Sequence, residues 1–165
     1  LDDGQPSVVN YIAGASTSGN IIGFAVNPTG KLSFIHQANS DIALYNADGV
    51  TFSDGATDWT HVAAKVTETG GNTAYAIYVN GSEIAGTLIQ AVSISNHNQY
   101  TSSINLGFGG FQNGAGTATT PIDGFIDECA FFDAALEDSE ISDIGGGGAP
   151  TDITGHDHLY LYYKS

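Results

Sequence analysis

The sequence predicts an all-β fold: an antiparallel two-sheet β-sandwich with one short helix near the C-terminus. Three features carry that expectation. Short segments of alternating apolar and polar residues recur along the chain, and such alternation turns one face of a strand toward a core. Gly, Asn, Asp and Ser punctuate these segments at short spacing, as in sandwiches and barrels. Only one stretch, near residue 140, spaces its apolar residues for a helix instead.

In order, the expected strands are Ser7–Ala13, Asn20–Val26, Lys31–His36, Asp41–Tyr45, Thr60–Thr67, Thr73–Val79, Ala91–Ser95, Ser103–Phe108, Phe125–Phe132 and Leu159–Tyr163. In Thr60–Thr67, Val62, Ala64 and Val66 share one face, and His61, Ala63 and Lys65 the other. Tyr75, Ile77 and Val79 alternate with Ala74, Ala76 and Tyr78 in the next strand. Two turns have readable chemistry. Asn80-Gly81 tolerates positive φ at both positions, as a two-residue type I′ hairpin demands. Pro28-Thr29-Gly30 separates two apolar runs and predicts a second hairpin. Glu137–Ile144 is the expected helix: Ile141 and Ile144 lie three apart, and Asp138 and Glu140 sit where the helix dipole favours anions. The run Gly145–Gly148 ends it, with glycine expected to supply a left-handed cap. Gly109–Thr120 reads as one loop.

A chain of 165 residues suits a single domain, 1–165, large enough to bury a core without cross-links. The single cysteine, Cys129, permits no internal disulfide and reads as a small core residue. Charge is lopsided, with 18 Asp and Glu against 3 Lys and no Arg, a net −15. Nucleic-acid binding needs cations to displace phosphate counterions, so that partner class is excluded. Anionic membranes are disfavoured likewise, and no apolar run approaches the ~20 residues of a membrane span. No basic and apolar leader opens the chain. It starts at Leu1 and contains no Met, so a processed product or part of a longer polypeptide is expected.

Three segments in order resemble the laminin-G-like jelly roll of the concanavalin superfamily: Asp58-Trp59-Thr60-His61-Val62-Ala63, Tyr78-Val79-Asn80-Gly81, and Asp123-Gly124-Phe125-Ile126-Asp127-Glu128 followed by Phe131-Phe132 and Ala135-Leu136. The resemblance implies further early strands before Ser7, which are expected to be missing here, and a Ser at the helix start, where Glu137 stands as a poorer N-cap. The C-terminal part, with Ala135 to Ile141, the glycine run, Ala149-Pro150-Thr151-Asp152-Ile153 and the closing aromatic strand, resembles modules in structural proteins of tailed bacteriophages. That implies a virion protein, with other virion proteins as partners.

Some jelly rolls of this superfamily hydrolyse polysaccharides, which takes two carboxyls roughly 5–9 Å apart. On a strand, Asp127 and Glu128 would point to opposite faces, and Asp123 would lie about 13 Å from Asp127. No catalysis is expected there. Cys129 has no basic neighbour in sequence to activate it, and no G-x-S-x-G occurs. His36, His61, His97, His156 and His158 form no nucleophile–base pattern; His61 is expected exposed or interfacial. His156-Asp157-His158 offers two donors on one face, too few for a transition metal. Gly145–Gly148 follows a helix and is no phosphate cradle. The resemblance does imply calcium at a sheet edge, with Asp127, Asp2 and Asp3 as candidate ligands. Aromatic residues can stack on sugars. Trp59, Tyr100, Phe108 and Phe111 lie in or near loops; Trp59 is expected at the core or a sandwich end, and Tyr100 and Phe111 as exposed contacts. The expected function is non-enzymatic: a capsid decoration or tail appendage acting in many copies, or alternatively a secreted or cell-surface carbohydrate-binding module.

Overall fold

The computed structural model describes residues 1, 4–17, 20–38, 41–49, 52–91, 105–112, 118–147 and 151–164. The chain is an antiparallel β-sandwich with one short helix. Its first sheet is built from β1 (Asn10–Thr17), β2 (Asn20–Val26), β3 (Leu32–Ala38), β4 (Asp41–Ala47), β8 (Gly86–Ala91), β9 (Asn105–Phe108), β10 (Phe111–Gln112) and β11 (Ala118–Thr119). The order is β11-β10-β1-β2-β3-β4-β8, with β9 also on β1. The second sheet is β5 (Val62–Thr69), β6 (Asn72–Val79) and β7 (Ser82–Ile84). A separate ribbon pairs β12 (Cys129–Phe132) with β13 (Leu159–Tyr163).

The turns follow from their residues. Asn80 (φ 48) and Gly81 (φ 75) form the left-handed pair expected between β6 and β7. Gly70 and Gly71 do the same between β5 and β6. In the β2–β3 hairpin the Asn27 Oδ1 accepts the Thr29 N–H at 2.9 Å and the Lys31 N–H at 3.2 Å, and Gly30 takes φ 75.

The core lies between the first two sheets. Phe24, Val26, Leu32, Phe34 and Ala47 meet Ile77, ringed by Val62, Ala64, Val66, Tyr75 and Val79. The expected alternation in β5 and β6 therefore holds. Their other face is also covered: Ala63, Ala76 and Tyr78 pack under Leu136, Ile141 and Ile144 of the helical segment. This makes a third layer, α1 (Asp138–Gly145).

Several expectations need correction. Beside the two packed sheets of the sandwich, the described residues form a short two-stranded ribbon that the sequence did not announce. The strand expected over Phe125–Phe132 starts only at Cys129, because Glu128 takes φ 53, which an extended strand cannot contain. The loop expected at Gly109–Thr120 contains β10 and β11, and β10 docks parallel to β1, the one parallel strand pair among the described residues. β8 covers 86–91 instead of starting at Ala91, while 92–95 lie outside the described residues. β9 begins at Asn105, with 103–104 also outside. The helix has its poor N-cap compensated from the other side: the Glu140 carboxylate accepts the Glu137 N–H at 2.7 Å. Its C-cap, Gly146, is right-handed (φ −73). Glycine is needed one residue earlier for a different reason, since a Cβ on buried Gly145 would strike the His61 ring.

Candidate functional site

Among the described residues β5 pairs only with β6, and β12 only with β13. Between these two open edges runs a cavity of about 540 Å³. Residues 58–66 line one wall without interruption and residues 125–136 the other, while Ile12, Ile22, Phe24 and Phe34 form the floor. Two large aromatic side chains on these walls stand in solvent: Trp59 is 52% exposed and Phe125 86%. Exposing such side chains forfeits burial energy, and both line the same cavity. Trp59 lies in the polar segment that precedes β5, and Phe125 in the irregular chain between Gly124 and β12.

Four carboxylates share these walls: Asp58, Asp127, Glu128 and Asp133. The Asp127 Oδ1 accepts the Glu128 N–H at 2.9 Å. The Glu128 Oε1 accepts a hydrogen bond from the Lys164 ammonium at 2.9 Å, with the Glu128 side chain 11% exposed. Its Oε2 is buried with no hydrogen-bond partner, an arrangement that leaves acceptor capacity unused. Burial, with Asp127 and Glu128 beside it, pushes the Cys129 thiol up to about 11. It therefore stays protonated at neutral pH and is no nucleophile. Burial lowers the His61 pKa, and its Nδ1 is packed away without a partner. Lys65 lies on the wall behind β5. Burial alone would lower its pKa, yet hydrogen bonds to Asp138 and Tyr78 raise it. The Tyr78 hydroxyl donates to the Asp138 Oδ1 at 2.6 Å, and Lys65 bonds the same oxygen.

Of the residues singled out from sequence, Asp127 reaches the cleft. Asp2, Asp3 and Tyr100 lie outside the described residues, as does the side chain of Phe111, whose backbone is in β10. Among the described residues no three His, Cys, Asp or Glu groups converge to hold a metal. His156 and His158 do not act as one donor face, because His158 sits in a turn with φ 65. His156 Nε2 lies 3.9 Å from Glu140 Oε1, and His158 Nδ1 3.2 Å from Asp133 Oδ1. Asp127 and Glu128 are not on a strand, so the opposite-face argument fails for them. Left-handed Glu128 brings both to one cleft. Trp59 was expected at the core or a sandwich end and Phe125 within a strand. Their exposure had one sequence signal each, the polar run before Trp59 and Gly124 before Phe125.

Residues 2–142 match the family described as the concanavalin A-like lectin/glucanases superfamily. The chain belongs to that superfamily. No curated protein sequence matches it. A crystal structure of residues 221–444 of an S-layer domain-containing protein from Clostridium thermocellum is similar to the chain at 18% identity with a TM-score of 0.36. That similarity covers 78% of this chain and 58% of the other. The superfamily match spans both walls of the cleft and most of α1, and it ends before β13. No helix among the described residues of this concanavalin A-like chain is long and apolar enough to cross a membrane.

Proposed function

We propose that the chain is a non-catalytic carbohydrate-binding module working at an extracellular or particle surface, seating a glycan in the cleft at Trp59 and Phe125. The exposed aromatic pair on one cleft is the observation that carries this reading. Pyranose rings present apolar C–H faces that stack on aromatic rings, while carboxylates such as Asp127 accept sugar hydroxyls. Membership of a superfamily described by lectins and glucanases supports the ligand class. The protonated Cys129 thiol and the pairing of Glu128 with Lys164 support binding over chemistry. The test is titration calorimetry against an oligosaccharide panel. Trp59→Ala should weaken binding about tenfold or more with circular dichroism unchanged. Hydrolysis of a bound polysaccharide, abolished by Asp127→Ala, would overturn the non-catalytic reading.

A second reading, a capsid decoration or tail appendage of a tailed phage acting in many copies, is favoured by two observations. The net charge of −15 keeps many copies apart before assembly. The closing strand β13 presents Tyr160 (77% exposed) and Tyr163 (49%) as a contact strip. Tyr100 and Phe111 are proposed as further contacts. Electron micrographs of the source particle should then show regular copies on a shell or tail, and their absence removes this reading. Calcium at Asp127, with Asp2 or Asp3, is proposed on the same footing. EDTA should lower the melting temperature if the site is filled.

A further inference from the structure

We infer that the cleft selects uncharged glycans and rejects carboxylated and sulfated ones; this rests on the carbohydrate reading above. Recognition of a uronate or a sulfate needs Arg or Lys to replace its hydration. The chain has no Arg, and its three lysines are Lys31, Lys65 and Lys164. Lys164 is committed to Glu128 at 2.9 Å. Lys31 lies in the turn between β2 and β3 and does not line the cleft. Lys65 is the one lysine on the wall, and its charge is masked. Asp138 of α1 pairs with its ammonium, which also lies 5.4 Å from the Tyr78 ring centroid. Its side chain is only 16% exposed. His61, on the same wall, has its pKa lowered by burial, which disfavours its cationic form.

The charged side chains on the cleft walls are thus four carboxylates and one paired lysine. Asp58, Asp127, Glu128 and Asp133 line the walls, and ionised carboxylates accept hydrogen bonds but donate none. A neutral sugar supplies the complement, with hydroxyl donors around its rim and C–H faces for Trp59 and Phe125. A sulfate or carboxylate supplies only more acceptors, and it must shed water against a wall of like charge. The mask on Lys65 makes Asp138 a specificity-determining residue, although it belongs to the helix behind β5.

The experiment is calorimetry on the purified chain in 50 mM NaCl. Neutral probes are cellohexaose, laminarihexaose and mannohexaose; anionic probes are oligoguluronate, oligogalacturonate and a heparin hexasaccharide. At least one neutral probe should bind, and each anionic probe should bind at least tenfold more weakly than the best of them. Asp138→Asn, which unmasks Lys65, and Asp58→Lys, on an exposed loop, should each raise affinity for an anionic probe about tenfold. That gain should shrink in 0.5 M NaCl. Two variants at separate places guard against one failing to fold, checked by its melting transition. An anionic probe bound as tightly as the best neutral one overturns the inference and leaves the carbohydrate reading standing. Folded variants that gain no anionic affinity also overturn it. Binding of neither class removes the carbohydrate reading itself.

Discussion

Cys129 and Asp138 show opposite effects of surroundings on titration. The Cys129 thiol, half-buried beside two carboxylates, is pushed up to about 11. It should react slowly with a disulfide reagent at pH 8 in the native chain and rapidly in urea; equal rates would contradict its burial. The Asp138 carboxyl is held below its usual range by hydrogen bonds from Lys65 and then Tyr78. A depressed folded-state pKa gives stability that is present above the unfolded value and lost as pH falls through the folded one. Lys65, raised in the fold, contributes below its unfolded value and loses that contribution at higher pH. The pair therefore acts between about pH 4 and pH 10. Asp138→Asn should lower the melting temperature slightly at pH 7, and the two melting curves should converge below pH 4. A constant gap across that range would mean the loss is steric and not ionic. Gly145 makes a purely steric demand, since a Cβ there would strike the His61 ring. Gly145→Ala should cost about 1–3 kcal/mol by overpacking, about 2–12 °C for a chain of this size.

Elements with a local cause could be read from the chain. β5, β6 and the Asn80-Gly81 turn needed only alternation and one dipeptide, and the register Val79↔Ser82 follows from them. β13 matches its expected span because its aromatic run is bounded by turn residues. Elements with a distant cause could not. β10 exists because β1 offers it an edge, and nothing in Phe111-Gln112 announces that. The shortened β12 depends on the left-handed Glu128, a conformation a glutamate rarely takes and no pattern signals. The cleft shared this fate. Asp127 was legible as a candidate, but its partnership with Trp59 and Phe125 arises from two open strand edges far apart in sequence. Gly81 ties both kinds of information together. It is legible as a turn residue at φ 75, yet a Cβ there would also come within 2.8 Å of the Gly146 nitrogen and 2.9 Å of the Ser142 carbonyl oxygen of α1. Gly81→Ala should therefore do more harm than turn strain alone, lifting α1 from the second sheet. Loss of amide protection at Ile141 and Ile144, ahead of β2 and β3, would report it. A uniform loss across the chain would instead indicate global destabilisation.

At the scale of the whole molecule, charge decides how the fold responds to its medium. Eighteen carboxylates and three lysines share one small body. Two of the lysines are already paired, to Asp138 and Glu128. Attractive pairs are thus few and repulsive ones many, and folding brings the repulsive ones closer together. Salt acts on both. At 0.1 M the screening length is about 10 Å, and at 1 M about 3 Å. Longer-range repulsion is screened first, while contact pairs at 3 Å keep more of their attraction. Exposed pairs contribute little in any case, so screening repulsion should win. The melting temperature should rise by several degrees between 0.02 and 0.5 M NaCl at pH 7. Most of the rise should come below 0.2 M, where the screening length passes through the dimensions of the sandwich. Matched tetramethylammonium chloride should give the same curve if the effect is screening. A larger rise with calcium chloride at equal ionic strength would instead point to specific ligation at Asp127, and Asp127→Asn should then remove only the excess. A melting temperature that falls with salt would show that the Lys65 and Lys164 pairs outweigh the repulsion, contrary to the charge count.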